Sequence, residues 1–227
     1  MKKHVFFLFI LSALILSFCT TSGKMVAEQK PRKETDYLFF LHNRFLEEND
    51  EQAEHPQYGR AAYSAILDSF RKRDFNVISE KRSSGMDAKL YARKVVSQID
   101  SLLKEGVAAN HITVVGTSKG GYIAQYVSTY LANPEVNYVL IGCFQELDTS
   151  DYPDIQLCGN ILSIYEKTDA SGVSGIYTKN ASRLTITRFK EIELNTGLKH
   201  GFLFKPMNEW MIPAAMWGKR NYEFKNE

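Results

Sequence analysis

The segment His111-Ile-Thr-Val-Val-Gly-Thr-Ser118-Lys-Gly-Gly-Tyr-Ile-Ala-Gln-Tyr-Val sets one serine between two glycines. An apolar, strand-like run, Ile112–Val115, precedes the serine, and a stretch with helical spacing follows it. A sharp strand-to-helix turn lifts such a hydroxyl above the sheet edge, provided its neighbours carry no side chains, as Gly116 and Gly120 do not. The first N–H groups of the following helix then point at the place where negative charge would develop on a bound carbonyl. A serine hydroxyl is a poor nucleophile at neutral pH until an imidazole takes its proton, and a carboxylate must hold that imidazole in one tautomer. His200, in Asn195-Thr-Gly-Leu-Lys-His-Gly-Phe202, is the one histidine that follows Ser118, and Gly197 and Gly201 give its segment backbone freedom. Of the others, His4 lies in the first apolar segment, His42 and His55 belong to an early loop, and His111 opens the strand before the serine at its far end.

From about Asp36 to Pro206 the chain resembles the α/β-hydrolase superfamily, in particular its small bacterial members without a lid. Gly116-Thr-Ser-Lys-Gly120 is the most specific part of the likeness. The resemblance implies a predominantly parallel sheet with helices on both faces, and catalytic residues in the chain order serine, acid, histidine. The acid is expected just past the strand Asn160–Tyr165, where Asp169 is the first candidate and Glu166, nearer the strand end, the alternative. The resemblance also implies an oxyanion hole built from the N–H of Lys119 and one from the loop after the first strand, Leu41-His-Asn-Arg44. Asn43 stands there where the family commonly has glycine, so the second donor is Asn43 or Arg44. His42, in that loop, is expected beside the substrate or as a structural hydrogen bond that holds the loop; Arg82, after the strand Phe75–Ser79, beside the substrate or in a surface loop; and the Lys119 side chain as a cation on the rim or a surface residue. The implied activity is hydrolysis of a small ester, thioester or amide through an acyl-enzyme. A non-catalytic binding or envelope protein on the same fold and an acyltransferase with the same triad stand as alternatives.

Several elements must place these groups. Tyr37–Leu41 is a wholly apolar run, as in strands buried on both faces of a parallel sheet. Residues His42 to Tyr58 form a long acidic loop, Ala61 to Lys72 has helical spacing, and Asp87 to Lys104 is a helix with Tyr91, Val95, Ile99 and Leu102 on one stripe. After the helix that follows Ser118 come strands at Val136–Cys143, Asn160–Tyr165 and Arg183–Leu194, and a helix at Glu209–Lys219. Strand and helix alternate throughout. The connection from Cys143 to Asn160 is only about a loop long, and since the resembling family often inserts a helical lid there, the resemblance implies a lidless site.

A chain of 227 residues, 44% hydrophobic and 24% charged, is one ordinary globular domain, assigned to residues 36–227. Its net charge of +2, with both signs interspersed, argues against a nucleic-acid surface, so the expected partner is a small-molecule substrate. Neither a metal-ligand cluster nor a dinucleotide or phosphate-binding glycine loop is evident, and the chemistry implied needs no cofactor. Met1-Lys-Lys-His followed by the apolar run Val5–Phe18 reads as a secretory signal ending near Cys19, with residues 20–35 as a flexible linker. Cys19 stands where a bacterial lipoprotein signal places its acylated cysteine, while Thr21-Ser-Gly23 fits simple cleavage. An exported protein is therefore expected, periplasmic or lipid-anchored. Cys143 and Cys158 are read either as a disulfide allowed by an oxidising compartment or as two small buried apolar groups.

Overall fold

The computed structural model of the protein describes residues 35–146 and 148–224; the expected signal, with Cys19, and the linker up to residue 34 lie outside the described residues. In chain order the elements are β1 (Asp36–Leu41), α1 (Arg44–Glu48), β2 (Glu54–His55), β3 (Gly59–Arg60), α2 (Tyr63–Arg71), β4 (Phe75–Ile78), α3 (Ala88–Lys104), β5 (Ile112–Thr117) and α4 (Lys119–Leu131). They continue with β6 (Asn137–Ile141), α5 (Asp148–Asp151), β7 (Gly159–Glu166), α6 (Ile176–Ala181), β8 (Ile186–Leu194) and α7 (Asn208–Gly218).

Six strands form one sheet in the order β4-β1-β5-β6-β7-β8, and every neighbouring pair is parallel. Both faces are covered, so the central strands β5 and β6 are buried at every position rather than at alternate ones. Along β1 the pleat sends Leu38 and Phe40 to one face, where they pack with Ile66 and Phe70 of α2 and Trp210 of α7. Phe39 and Leu41 go to the other face, with Tyr91, Val95 and Ile99 of α3 and Ile123 of α4. The stripe expected on α3 is thus the face it buries, although Leu102 is only half-buried. Asp87 begins that helix by accepting the Leu90 N–H at 2.7 Å.

Strand order decides where a site can form. From β1 the chain runs outward to the edge strand β4 and then returns to β5 on the other side of β1. The connections leaving β1 and β5 therefore diverge to opposite faces, and the crevice between their carboxyl ends is the topological switch point, the place where ligands bind in open α/β sheets. Ser118 follows β5 and the segment 42–44 follows β1, so both border that crevice.

The structure adds to the sequence reading in three places. The segment expected as a loop from His42 holds the five-residue α1 and the ribbon β2–β3, and α6 occupies residues to which no element was assigned. The last strand begins at Ile186 rather than Arg183. Cys143 and Cys158 are both buried and free, so of the two readings the structure has the pair of separate buried thiols, one after β6 and one before β7. Between those strands lies only the single-turn α5 among the described residues, and no lid.

Candidate active site

Ser118 has φ +50° and ψ −122°, a conformation that L-residues rarely adopt and that costs on the order of 1–3 kcal/mol. Its N–H donates to Ile141 O at 2.9 Å, which ties the turn to the end of β6. Although Ser118 stands at the N-cap position of α4, its side chain makes no capping hydrogen bond, so the hydroxyl is left for other work. The turn closes this tightly because its glycines are bare. A Cβ on Gly116 would lie 2.4 Å from Gly120 O, and one on Gly120 would lie 1.9 Å from Leu41 O. Backbone occupies both places, so no side chain can move aside.

The Ser118 hydroxyl is 2.9 Å from His200 Nε2, and His200 Nδ1 is 2.5 Å from Asp169 Oδ2. His200 is carried by a short 3-10 helix, Lys199–Phe204, after β8. Asp169 follows β7, its side chain 2% exposed, with Oδ1 accepting the Ser171 N–H at 2.9 Å. A carboxylate only accepts, so the imidazole places its proton on Nδ1 and presents the Nε2 lone pair to the Ser118 hydroxyl. Three groups from three loops meet at the carboxyl edge of the sheet.

Glu166 has a different task. One carboxylate oxygen accepts Thr168 Oγ1–H at 3.0 Å, and the other accepts the Thr196 N–H at 2.9 Å and its hydroxyl at 2.8 Å. Burial pushes this carboxyl upward, and the hydrogen bonds from Thr196 and Thr168 outweigh that and hold it below the ordinary carboxylate range. Glu166 therefore laces the loop after β7 to the loop after β8, the two that carry Asp169 and His200.

The loop after β1 rests on a buried network. His42 is fully buried; its Nε2 accepts the Arg82 N–H at 2.8 Å, and its Nδ1 lies 2.8 Å from Asn43 O. Since a backbone N–H can only donate, the ring is the neutral Nδ1–H tautomer. Burial, aided by the Arg82 charge, lowers its pKa from 6.5 to about 4. The Arg82 guanidinium donates from Nη2 to His42 O and from Nε to Glu47 Oε2 at 3.0 Å. Glu47 Oε1 in turn accepts Lys119 Nζ, which also donates to Met86 O at 3.0 Å. Both side chains of the Arg82–Glu47 pair are wholly inaccessible to solvent.

This network corrects one expectation and adds to another. His42 and Arg82, expected beside the substrate, are sealed under the loop and serve to fix it. The Lys119 side chain borders the crevice, but its ammonium is engaged by Glu47 and Met86. No local pattern of residues points to Glu47, whose partners lie 35 and 72 positions away.

Asn43, the departure from the glycine of the resembling family, has φ −69° and ψ 172°, extended backbone open to any residue. Its side chain accepts the Leu46 N–H at 3.1 Å and so starts α1. No left-handed conformation is required there, and asparagine adds a cap that glycine would not. Arg44, the first residue of α1, borders the crevice with Ser118. The backbone N–H groups of Arg44 and Lys119 each open a helix and so have no acceptor four residues back within it.

The crevice encloses about 290 Å³, with Ser118, His200, Tyr122, Gly142, Asp148 and Tyr152 among its walls. At the opposite end of the sheet, His111 Nδ1 meets Asp36 Oδ1 at 2.8 Å, a bond between the starts of two strands and remote from the crevice. No group of residues able to hold a metal ion occurs among the described residues.

No family model matches the sequence, and no curated protein matches it. Solved structures do match the fold. An arylesterase is 13% identical with a TM-score of 0.58, over 82% of this chain and 74% of the other. SOBER1 of Arabidopsis thaliana is 16% identical with a TM-score of 0.53, over 83% of this chain and all (100%) of the other. An esterase from Rhizomucor miehei is 12% identical with a TM-score of 0.55, over 82% and 74%. At such identities the likeness is one of architecture: the protein has the α/β-hydrolase fold.

Proposed function

We propose that this α/β-hydrolase-fold protein is a serine hydrolase that cleaves a small ester, thioester or amide through an acyl-enzyme. The hydrogen-bonded line Ser118–His200–Asp169, at 2.9 Å and 2.5 Å on a strained strand-to-helix turn, carries the reading. Ser118 Oγ attacks the substrate carbonyl carbon while His200 Nε2 takes its proton. Asp169 keeps the ring oriented and steadies the imidazolium that forms. As the tetrahedral intermediate collapses, the bond to the leaving group breaks and that group departs with the proton from His200. Water then adds to the acyl carbon by the same route, returning a carboxylic acid and free Ser118.

The oxyanion is assigned to the N–H groups of Lys119 and Arg44. Arg44 is preferred to Asn43 because Arg44 borders the crevice with Ser118. Removing one such donor elsewhere costs about 10²–10³-fold in kcat, so an intact loop at 42–44 is essential to the reading. The fold neighbours described as an arylesterase and as fungal esterases support it. Hydrolysis of a short-chain aryl ester by the purified protein, and its loss in Ser118→Ala with the fold retained, tests the proposal. Export belongs to the same proposal and rests on the residue pattern up to Gly23. Mass spectrometry of the mature N-terminus decides between an acylated Cys19 and a free amine at or after Ser22.

A further inference from the structure

One wall of the crevice carries a carboxyl group that no cation pairs with among the described residues. Asp148 opens α5, is 5% exposed, and borders both the crevice with Ser118 and a neighbouring cavity of about 530 Å³. Its Oδ2 accepts the Gln145 N–H at 2.7 Å, and no lysine, arginine or histidine pairs with it among the described residues. The two cations that border the same crevice are already matched: Arg44 Nε lies 3.8 Å from Glu48, and Lys119 is held by Glu47. Burial drives the Asp148 carboxyl above its ordinary range, and the nearby charge of Asp151 adds to the shift. An unpaired, nearly buried carboxylate is costly, and a cation beside it removes that cost.

Tyrosines flank the position. Tyr122 and Tyr152 both border the crevice, their ring centroids 4.8 Å apart and their planes at 61°. The Tyr122 hydroxyl is engaged 3.2 Å from that of Tyr126, which lies 3.2 Å from Asp154. Aromatic rings and a carboxylate that line one crevice can hold an ammonium group, by ring electrostatics and by charge together.

We propose that the crevice takes an ester or thioester one arm of which carries an ammonium group, seated on the wall formed by Asp148, Tyr122 and Tyr152 while Ser118 meets the carbonyl. This substrate class rests on the hydrolase reading. It also gives Asp148 and Tyr152 a use that the triad does not require.

Acetylthiocholine and its uncharged isostere, with a tert-butyl group in place of trimethylammonium, differ in charge at nearly constant shape. The expected kcat/KM ratio favours the cation by about tenfold or more, equivalent to about 1.4 kcal/mol of discrimination. In Asp148→Asn, which keeps an oxygen for the Gln145 N–H, that ratio falls towards one. Because each ratio is taken on a single protein, partial unfolding of the variant cancels from it. A wild-type ratio near one, or a ratio untouched by Asp148→Asn, overturns the substrate class and leaves the hydrolase reading standing. Turnover of neither ester overturns the substrate class as well, and labelling of Ser118 by a fluorophosphonate then shows whether the hydrolase reading falls with it.

Discussion

Glu47 joins the two sides of the crevice: one of its oxygens binds Arg82, which grips the carbonyl of His42, and the other binds Lys119, the residue after the strained serine. In a trans peptide the N–H points opposite to the C=O, so fixing His42 O also fixes the direction of the Asn43 N–H at the entry to α1. Burial raises the Glu47 carboxyl, but the hydrogen bonds from Lys119 and Arg82 prevail and hold it below the ordinary range. The loop after β1 and the turn after β5 are therefore set relative to each other by one buried carboxylate.

Removing either partner of the buried pair leaves a charge without an answer. Arg82→Met and Glu47→Gln should each lower stability by about 3–5 kcal/mol in urea unfolding, and the double variant should lose less than the sum. Strict additivity of the two losses would show that the pair is not the coupling described.

The two carboxylates after β7 should separate in kinetics. Asp169→Asn is expected to cost about 10⁴-fold in kcat, since the imidazole loses its oriented tautomer. Glu166→Gln should instead lower the melting temperature, with kcat within about tenfold of wild type, because its oxygens brace Thr168 and Thr196 and not His200. Steady-state kinetics beside thermal melts distinguish the two roles, and the reverse ranking would move the acid to Glu166.

Acid should weaken the fold through His42. Its folded pKa of about 4 lies below the unfolded value of 6.5, so the unfolded chain takes up the proton first as pH falls. The stability is fully present above pH 6.5 and is lost through the window from 6.5 to about 4. At pH 5 the loss is about 2 kcal/mol, and the full shift corresponds to about 3 kcal/mol. Urea midpoints measured across that window should fall in the wild type and flatten in His42→Asn.

Glycine at the turn is a steric requirement. Gly120→Ala drives a methyl group into the Leu41 carbonyl and should abolish folding or cost more than about 3 kcal/mol. Gly85→Ala, with open space around it and φ +73°, should cost only about 1 kcal/mol. Circular dichroism and urea melts of the two variants make the comparison.

Much of this arrangement is legible in the sequence because it rests on local patterns. Apolar runs mark β1 and β5, the i, i+4 stripe of Tyr91, Val95 and Ile99 marks α3, and the glycines around Ser118 mark the turn. The choice between Asp169 and Glu166 is not local. Both lie near the end of β7, and what separates them is that Glu166 reaches Thr196 while Asp169 reaches His200, each about thirty positions on. The bracing network is illegible for the same reason: His42, Glu47, Arg82 and Lys119 come from four segments, none with a periodicity that announces the contact. The five-residue α1 and the two-residue strands β2 and β3 are too short to show a period at all.

The central claim is that Ser118 is a nucleophile activated by His200. Intact-mass analysis after treatment with a fluorophosphonate, with peptide mapping of the adduct, measures this most directly. One adduct per chain is expected, carried on Ser118, lost in Ser118→Ala and formed far more slowly in His200→Ala. An unmodified folded protein, or an adduct that persists in Ser118→Ala, would contradict it.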